Sequence, residues 1–230
     1  MVQIPKNIFQ THKSYEYITT KPKLVTSVNS WKKFQNEFSY HFYDDNQCDE
    51  FIKNNFDERV YKAYCMLPLA VMKADLWRYC IIYKYGGIYA DTDAICNENP
   101  NVFINNAYLT IAPENCSNFF CQWIFSATAN SPILKTIIDL SVERILTTEI
   151  KGEHIIHYLT GPALFTDGIF KYVKDNNLNF FEKTVEYINN YDANILYVFE
   201  NENFHRNIVI HTFAGDDEDG WKKERYGKIC

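Results

Sequence analysis

The sequence predicts an α/β protein with a mainly parallel central sheet flanked by helices. Strand-like and helix-like segments alternate along the chain, a long apolar helical run ends at Gly86-Gly87, and the short strand after it leads into Asp91 and Asp93. Such alternation favours layers of helices packed on a parallel sheet. In these sheets ligands bind at the carboxyl ends of the strands, so the two aspartates mark a candidate site.

Apolar periodicity divides the first half of the chain into short elements. Pro68 is expected to open the longest helix, and Gly86 to end it as a left-handed cap. Residues 10–12 (Gln-Thr-His) are expected to form a polar loop after the first strand. The other predicted elements are a strand at 4–9, a helix at 24–34, a strand at 38–43, and helices at 48–54 and 57–64.

The second half is predicted to add two helices and several strands. Ser131-Pro132 caps and opens a helix to about residue 146, and Thr160-Gly-Pro162 precedes a helix to about residue 173. The predicted strands are at 107–112, 119–126, 184–188, 195–199 and 208–212.

Composition limits the class of protein. With 230 residues, 47% of them hydrophobic, the chain is long enough for one core, and we expect a single domain over residues 1–230. The net charge of -6 and the scattered lysines argue against nucleic-acid binding, which needs a clustered basic face. The seven cysteines include no CxxC pair, and no segment has the pattern of a signal peptide or membrane span. These features predict a reduced, soluble, cytoplasmic protein.

Asp91 and Asp93 have the chemistry of a site for a hard divalent cation. Carboxylate oxygens bind such cations, which keep open positions for water or phosphate oxygens. A pair of acidic residues after a strand is more often a turn cap. The metal interpretation requires the extended geometry to persist through Thr92, because alternate residues of a strand face the same side.

Two further charged groups lie nearby in the sequence. Asp75 and Arg78 are three residues apart on the apolar helix, where they form either a local ion pair or a grip on a sugar and its diphosphate. His211 ends the last apolar strand and is a candidate third ligand for the cation, although lone histidines at strand ends are more often surface residues.

Five motifs are distributed over almost the whole chain: Ile4-Pro-Lys-Asn-Ile-Phe-Gln10, Lys73-Ala-Asp-Leu-Trp-Arg-Tyr79, Tyr85-Gly-Gly-Ile-Tyr-Ala-Asp-Thr-Asp93, Thr160-Gly-Pro162, and His211 with Trp221. Together they resemble the DXD-containing glycosyltransferases of family 32, and the segment 73–93 is the most specific of them. The family frequently has tryptophan soon after the first-strand glutamine, where this chain has Thr11-His12.

The resemblance implies a GT-A fold, a Rossmann-like fold for nucleotide-diphospho-sugar transferases. It further implies retaining transfer of a hexose to a glycan, lipid or protein hydroxyl, with Mn²⁺ or Mg²⁺ as cofactor. UDP-hexose is slightly preferred over GDP-mannose as the donor. A retaining reaction on one face of the sugar needs no protein nucleophile, and Gln122, Asn130 and Asp167 are candidates for one by position only.

The resemblance also assigns roles to individual residues. Asp93 and His211 would bind the metal, and Asp91 would contact it or the ribose. Asp75 and Arg78 would hold the donor sugar, and together with Asp93 they form the expected catalytic set. The remaining expected donor-binding residues are Ile8, Phe9 and Gln10 along the base, Tyr79, Gly87, Thr92, and Trp221 over the diphosphate.

Two alternatives stay open. A haloacid-dehalogenase-like phosphatase also places a strand before a DxD motif, with Asp91 and Asp93 as its acids. Its nucleophile usually lies near the start of the domain, whereas about ninety residues precede Asp91. A degenerate module that binds a sugar nucleotide without turning it over is the second alternative.

Overall fold

The computed structural model describes residues 3–115, 118–152, 154–178 and 195–213. The strands in this part of the chain are β1 (Asn7–Thr11), β2 (Ser39–Tyr43), β3 (Gly87–Ala90), β4 (Ala94–Cys96), β5 (Leu109–Ile111), β6 (Ile124–Ala127), β7 (Leu196–Val198) and β8 (Val209–His211). The α-helices are α1 (Tyr15–Thr19), α2 (Pro22–Lys32), α3 (Asp45–Asn55), α4 (Glu58–Met66), α5 (Ala70–Tyr85), α6 (Pro132–Thr147), α7 (Ile155–Leu159), α8 (Pro162–Asp175) and α9 (Asn201–Asn203). A 3-10 turn spans Pro100–Phe103 and a π-helical turn spans Phe204–Ile208.

Six of these strands form one sheet in the order β2-β1-β3-β6-β5-β7. The pairs β1–β2, β1–β3 and β5–β7 are parallel, whereas β6 runs antiparallel to both β3 and β5. The prediction of a mainly parallel sheet flanked by helices is confirmed. Because β1 and β3 are parallel neighbours, the residues that follow both strands meet at one edge of the sheet.

A separate two-stranded sheet lies beyond this edge. β4 follows β3 after a short turn and pairs antiparallel with β8, with Ala94 opposite His211. The indole Nε1 of Trp31 on α2 donates to the Ala94 carbonyl at 2.8 Å and so ties β4 to the rest of the fold. This pairing carries the late histidine back beside the DXD segment.

Helix α5 lies inside the protein. Five of its apolar side chains are fully buried: Met72, Leu76, Trp77, Ile81 and Ile82. The helix also buries the polar side chains of Asp75 and Arg78. A helix that is apolar around most of its circumference is a buried one. One core cluster packs α3 to α8 against one face of the sheet, and a second cluster packs Trp31 and the 3-10 turn against the other.

The Gly86-Gly87 pair makes the tight connection between α5 and β3. The Gly86 N–H donates to the Ile82 carbonyl at 2.8 Å and ends the helix. Its φ of 66° and ψ of 167° lie outside the left-handed helical region that we expected, in a region that is essentially restricted to glycine. A Cβ on Gly87 would lie 2.7 Å from the Asn7 carbonyl oxygen, so close packing of β3 on β1 also requires glycine there.

Several predicted boundaries need correction. The first strand begins and ends later than expected, so that Gln10 and Thr11 belong to β1 and not to a loop. The long helix begins at Ala70 and not at Pro68, because Leu69 is still extended. The strands predicted at 107–112 and 119–126 shorten to β5 and β6, since turns and a single bridge between Pro113 and Phe120 occupy the residues between them.

The structure bears on the remaining predictions only in part. Trp221 and the strand predicted at 184–188 lie outside the described residues. Within the described ranges, none of the helices has the length and apolar character needed to cross a membrane. The thiols of Cys48, Cys65, Cys80, Cys96 and Cys121 are free.

Candidate functional site

The DXD segment forms a turn at the carboxyl end of β3. The Ala94 N–H donates to the Asp91 carbonyl at 3.0 Å, so the chain reverses between β3 and β4. The extended geometry therefore does not persist through Thr92, contrary to the condition set for the metal interpretation. The turn itself brings Asp91 and Asp93 together, and a side-chain amide N–H of Gln10 at the end of β1 donates to the Asp91 carbonyl at 3.1 Å.

Asp91, Asp93 and His211 form a compact group. One potential ligand atom from each residue lies within 4.8 Å of the others. His211 Nε2 is 3.1 Å from Asp93 Oδ1, but the contact lacks hydrogen-bond geometry. In the described part of the chain, neither ring nitrogen of His211 has a hydrogen-bond partner. Two carboxylates and an orphaned buried imidazole are a donor set that fits a divalent cation.

The charges of this group follow from burial and from one another. Burial lowers the pKa of His211, but the carboxylates of Asp93, Asp91 and Glu114 outweigh burial, and the net shift of the pKa is upward. Burial raises the pKa of Asp91, and Arg78 opposes that rise. A cation would replace the proton that these acids and the imidazole otherwise compete for.

Arg78 is the centre of a buried ion network. Its guanidinium lies 2.9 Å from Asp75 Oδ1 and 3.2 Å from Asp91 Oδ1, and it donates to the Gln122 carbonyl at 3.1 Å. The ring of Tyr89 lies below it, 4.6 Å from the guanidinium carbon to the ring centroid. The expected local pair with Asp75 is therefore present, and it extends to the DXD motif.

Asp75 is held by neighbours on three elements. Its carboxylate accepts hydrogen bonds from Gln122 Nε2 at 3.2 Å and from Thr160 Oγ1 at 3.0 Å. Burial raises the pKa of Asp75 to about 6, although Arg78, Gln122 and Thr160 all favour the charged form. At 1% exposure, the side chain lies beneath the surface of the site, and its contact with a donor sugar stays a prediction.

The remaining predicted donor-binding residues lie on β1, α5 and β3. The Tyr79 hydroxyl lies within hydrogen-bond distance of Gln122 Oε1 (2.9 Å) and the Thr160 carbonyl (2.7 Å), which explains the position of the Thr160-Gly-Pro162 motif. The side chains of Ile8 and Phe9 point into opposite core clusters. Gln10 and Thr92 are buried at the DXD turn, and Gly87 is buried at the opposite end of β3. The donor contacts of these residues stay predictions.

Of the residues considered as nucleophiles by position, Gln122 alone is in contact with the network. Asp167 forms a surface ion pair with Arg144 at 2.7 Å, and its side chain is half exposed. Asn130 adopts a positive φ of 58° in the turn before α6. Gln122 bridges Asp75 and Tyr79, so it acts here as a hydrogen-bonding partner.

Sequence reasoning missed four residues of the site. The Tyr89 hydroxyl donates to Asp91 Oδ1, and the two residues are two apart along a strand, a spacing that predicts a shared face. His12 carries a buried Nδ1 without a hydrogen-bond partner among the described residues. Burial lowers the pKa of His12, with Asp93 opposing the shift. Trp123 and Glu114 lie behind His211, and no local pattern marks them.

An acidic cleft lies beside the carboxyl end of β1. It has a volume of about 610 Å³ and extends between α3, α4 and the start of α5. Its lining includes Thr11, Ala74, Asp45, Asp49 and Lys73. Neither Asp91 nor Asp93 lines this cleft.

The sequence is similar to proteins that are named as glycosyltransferases. Residues 3–110 match the family described as glycosyltransferase sugar-binding region containing DXD motif. The chain is 27% identical over 207 residues to an initiation-specific α-1,6-mannosyltransferase of Candida albicans, a match that covers 74% of this chain and 54% of the relative. An inositol phosphoceramide mannosyltransferase of Schizosaccharomyces pombe is 36% identical over 94 residues, or 41% of this chain and 25% of the relative.

The Schizosaccharomyces pombe initiation-specific α-1,6-mannosyltransferase is also 27% identical, over 74% of this chain and 49% of its own length. The chain thus spans about half the length of these two initiation-specific relatives. Among solved structures, the PaToxG glycosyltransferase superposes with a TM-score of 0.56 at 18% identity, covering 75% of this chain and 71% of that chain. This likeness confirms the predicted GT-A fold.

Proposed function

We propose that this chain is a metal-dependent retaining glycosyltransferase, because its residues 3–110 match the glycosyltransferase family whose sugar-binding region contains the DXD motif. It would move a hexose from a nucleotide diphosphate sugar to a hydroxyl group of an acceptor. The observation that carries the proposal is the group formed by Asp91, Asp93 and His211. We further propose that residues 1–230 form one catalytic domain.

Asp93 and His211 would hold the cation, with Asp91 as the third ligand. When bound, Mn²⁺ or Mg²⁺ would supply positive charge to the leaving diphosphate. Tyr89 and Arg78 both engage Oδ1 of Asp91 and would hold this carboxylate in place for the cation. His211 contributes a nitrogen that has no competing hydrogen bond in the described residues.

The buried network would orient the donor sugar. Arg78 is fixed by Asp75, Asp91 and the Gln122 carbonyl, so its position costs little entropy when the donor binds. The charge of its guanidinium is already paired with Asp75 and Asp91, so positive charge beside the leaving diphosphate would come from the bound cation. In a reaction on one face of the sugar, the departing phosphate oxygen takes the acceptor proton, and no protein side chain has to act as nucleophile.

The names of the relatives favour mannose as the hexose. The three relatives described above are all named as mannosyltransferases: two as initiation-specific α-1,6-mannosyltransferases and one as an inositol phosphoceramide mannosyltransferase. We therefore propose a mannosyl group as the first to test. The preference for UDP-hexose over GDP-mannose that we drew from the sequence is the competing prediction, and glycan and lipid acceptors are both proposed.

A panel of sugar nucleotides tests the proposal. Thermal unfolding and donor hydrolysis would be measured with GDP-mannose, UDP-glucose and UDP-galactose, each with and without Mn²⁺. We expect one donor to raise the melting temperature only with Mn²⁺ and to be hydrolysed slowly without an acceptor. Stabilisation without hydrolysis or transfer would favour a degenerate binding module. Turnover of p-nitrophenyl phosphate with Mg²⁺ and no response to any donor would favour the phosphatase, which the comparisons do not favour.

A further inference from the structure

Trp123 contacts two of the three candidate metal ligands. Its indole lies flat on the imidazole of His211, with ring centroids 4.5 Å apart and planes at 18°. Its backbone carbonyl accepts the N–H of Asp91 at 2.8 Å. Trp123 is buried just before β6, at the point where β6 pairs with β3. One residue therefore touches both the strand that delivers the DXD motif and the strand that delivers the histidine.

Glu114 fixes the orientation of this indole. Its Oε1 accepts the Trp123 Nε1–H at 3.0 Å. The backbone of Glu114 is itself anchored, since its N–H donates to the Phe119 carbonyl at 2.9 Å. Burial raises the pKa of Glu114, and the hydrogen bond from Trp123 and the charges of His211 and His205 oppose that rise.

The imidazole of His211 lacks the usual means of orientation. A metal-bound histidine generally donates its second ring N–H to a carboxylate or a carbonyl, which fixes the ring. Nδ1 of His211 is buried, and no such partner exists among the described residues. Among the described residues, the other aromatic ring in contact with it is Phe213, edge-on at 4.4 Å, and the Phe213 side chain is 58% exposed. The buried stacking contact with Trp123 thus constrains the plane of the ring, beside the 3.1 Å approach of its Nε2 to Asp93.

We propose that Glu114 and Trp123 are positioning residues that hold the His211 imidazole in the orientation needed to bind the cation. The hydrogen bond between them prevents the indole from rotating, and the indole in turn prevents the imidazole from rotating away from Asp93. This inference rests on the proposed function, because it concerns the same cation site. It adds two residues that lie outside the candidate ligand group of Asp91, Asp93 and His211.

The test is direct titration of the purified chain with Mn²⁺ alone, followed by calorimetry. Glu114→Ala and Trp123→Phe each remove the hydrogen bond, the second with an aromatic ring retained. Each is expected to weaken Mn²⁺ binding about tenfold, the low end for loss of an outer-shell partner. The double variant should bind as weakly as the weaker single variant, because both changes break one contact. Glu114→Gln keeps an acceptor oxygen and should bind within about twofold of the wild type.

Ser126→Ala is the matched control. It removes a buried hydrogen bond from β6 to the Phe103 carbonyl, 2.9 Å long, three residues beyond Trp123. It should lower the melting temperature and leave Mn²⁺ affinity unchanged. All titrations would be made below the measured melting onset of each variant, and the conservative Trp123→Phe and Glu114→Gln variants cover the case in which Glu114→Ala does not fold.

The outcomes separate the two proposals. If the wild type binds no Mn²⁺, the cation site and this inference both fail. If the wild type binds Mn²⁺ and His211→Gln abolishes binding, but Trp123→Phe and Glu114→Ala bind like the wild type, the cation site stands and the positioning pair is wrong. Binding by Glu114→Gln as weak as that of Glu114→Ala would also overturn the inference, since charge and not the hydrogen bond would then matter.

Discussion

Thr212 donates both its backbone N–H and its hydroxyl to the carbonyl oxygen of Asp93, at 2.9 Å and 2.8 Å, across 119 positions of sequence. These two bonds continue the pairing of β4 with β8 past its last residue pair. They lock the backbone of one candidate metal ligand to the residue that follows another. The relative positions of Asp93 and His211 in the candidate cation site therefore depend on this long-range contact.

Replacing Asp93 with asparagine tests the cation site. At a donor concentration of 100 times its dissociation constant, ligand stabilises a protein by about 2.7 kcal/mol, or roughly 5 to 10 °C for a chain of this length. Asp93→Asn should lose the Mn²⁺-dependent part of this shift, because an amide carries no charge to bind the cation. Differential scanning fluorimetry with donor, with and without Mn²⁺, measures the effect.

Asp139→Asn provides the control for this change. Asp139 forms an ion pair of 2.6 Å with Lys135 on the exposed face of α6, and it is not part of the DXD turn. The control should keep the full Mn²⁺-dependent shift. An Asp93→Asn protein that also keeps it would show that Asp93 is not a ligand.

Arg78→Met should destabilise the fold by about 3 to 5 kcal/mol. The substitution leaves the buried carboxylates of Asp75 and Asp91 without their cation, and an unpaired buried charge is costly. The free energy of unfolding of Arg78→Lys should lie between those of the wild type and Arg78→Met, because an ammonium keeps the charge but cannot reproduce the fork of donors. Urea denaturation of each variant at pH 7 gives the free energies of unfolding.

Lys135→Met removes the cation of an exposed pair and should cost less than about 0.5 kcal/mol. Equal losses for Lys135→Met and Arg78→Met would contradict a stabilising role for the buried network.

Gly87→Ala should be much more harmful than Gly152→Ala. Both glycines have positive φ, 123° and 105°, so both variants carry backbone strain of roughly 1 to 3 kcal/mol. At Gly87 the new Cβ would also meet the Asn7 carbonyl oxygen at 2.7 Å, whereas nothing lies within 4 Å at Gly152. Overpacking of this kind adds roughly 1 to 3 kcal/mol. Denaturant unfolding of the two variants measures the difference, and similar losses would show that β3 can move away from β1.

The stability of the metal-free protein should fall as pH rises above 6.5. The folded-state pKa of His211 lies above the usual value, so the native protein holds a proton that the unfolded chain has already lost. This contribution is complete below pH 6.5 and is lost as the pH rises through the folded-state pKa, by at most about 1.4 kcal/mol per pH unit. Mn²⁺ affinity should rise over the same range, because the cation requires the neutral imidazole.

Urea denaturation in the presence of a chelator, from pH 6 to 8.5, tests this pH dependence. His211→Gln removes the titrating group, so the difference between wild type and variant isolates its contribution from those of other acids. A difference that does not change with pH, or that grows as the pH rises, would contradict the assignment of a raised pKa to His211.

Much of the fold and of the candidate site could be predicted from local patterns. The buried helix α5, the glycine connection and the strand β3 follow one another within twenty-one residues, so their order and spacing place Asp75, Arg78, Asp91 and Asp93 in neighbouring elements. The cap of α6 at Ser131-Pro132 was also predictable, and the Ser131 hydroxyl does accept from the Leu134 N–H. Local sequence patterns predict such features because backbone preference and burial in a helix or strand depend mainly on residues close in the sequence.

Other features depended on contacts that no local pattern encodes. The turn at Thr92 replaced an extended strand, because β4 leaves the main sheet to pair with β8. The antiparallel insertion of β6 between β3 and β5 placed Gln122 and Trp123 against α5 and His211. Such strand pairings depend on how the apolar faces of all the helices and strands are buried together, so residues from the whole chain contribute to them.

By itself, the sequence determined the α/β class, the position of the DXD motif after a buried helix, and the residue types able to hold a divalent cation and a sugar diphosphate. Tertiary structure alone decided that Arg78 joins Asp75 to Asp91, and that Glu114 and Trp123 lie behind His211. The physical reason is that spacing along a helix or strand constrains only nearby side chains. Contacts between residues up to 119 positions apart form only when sheet pairing and core packing bring their elements together.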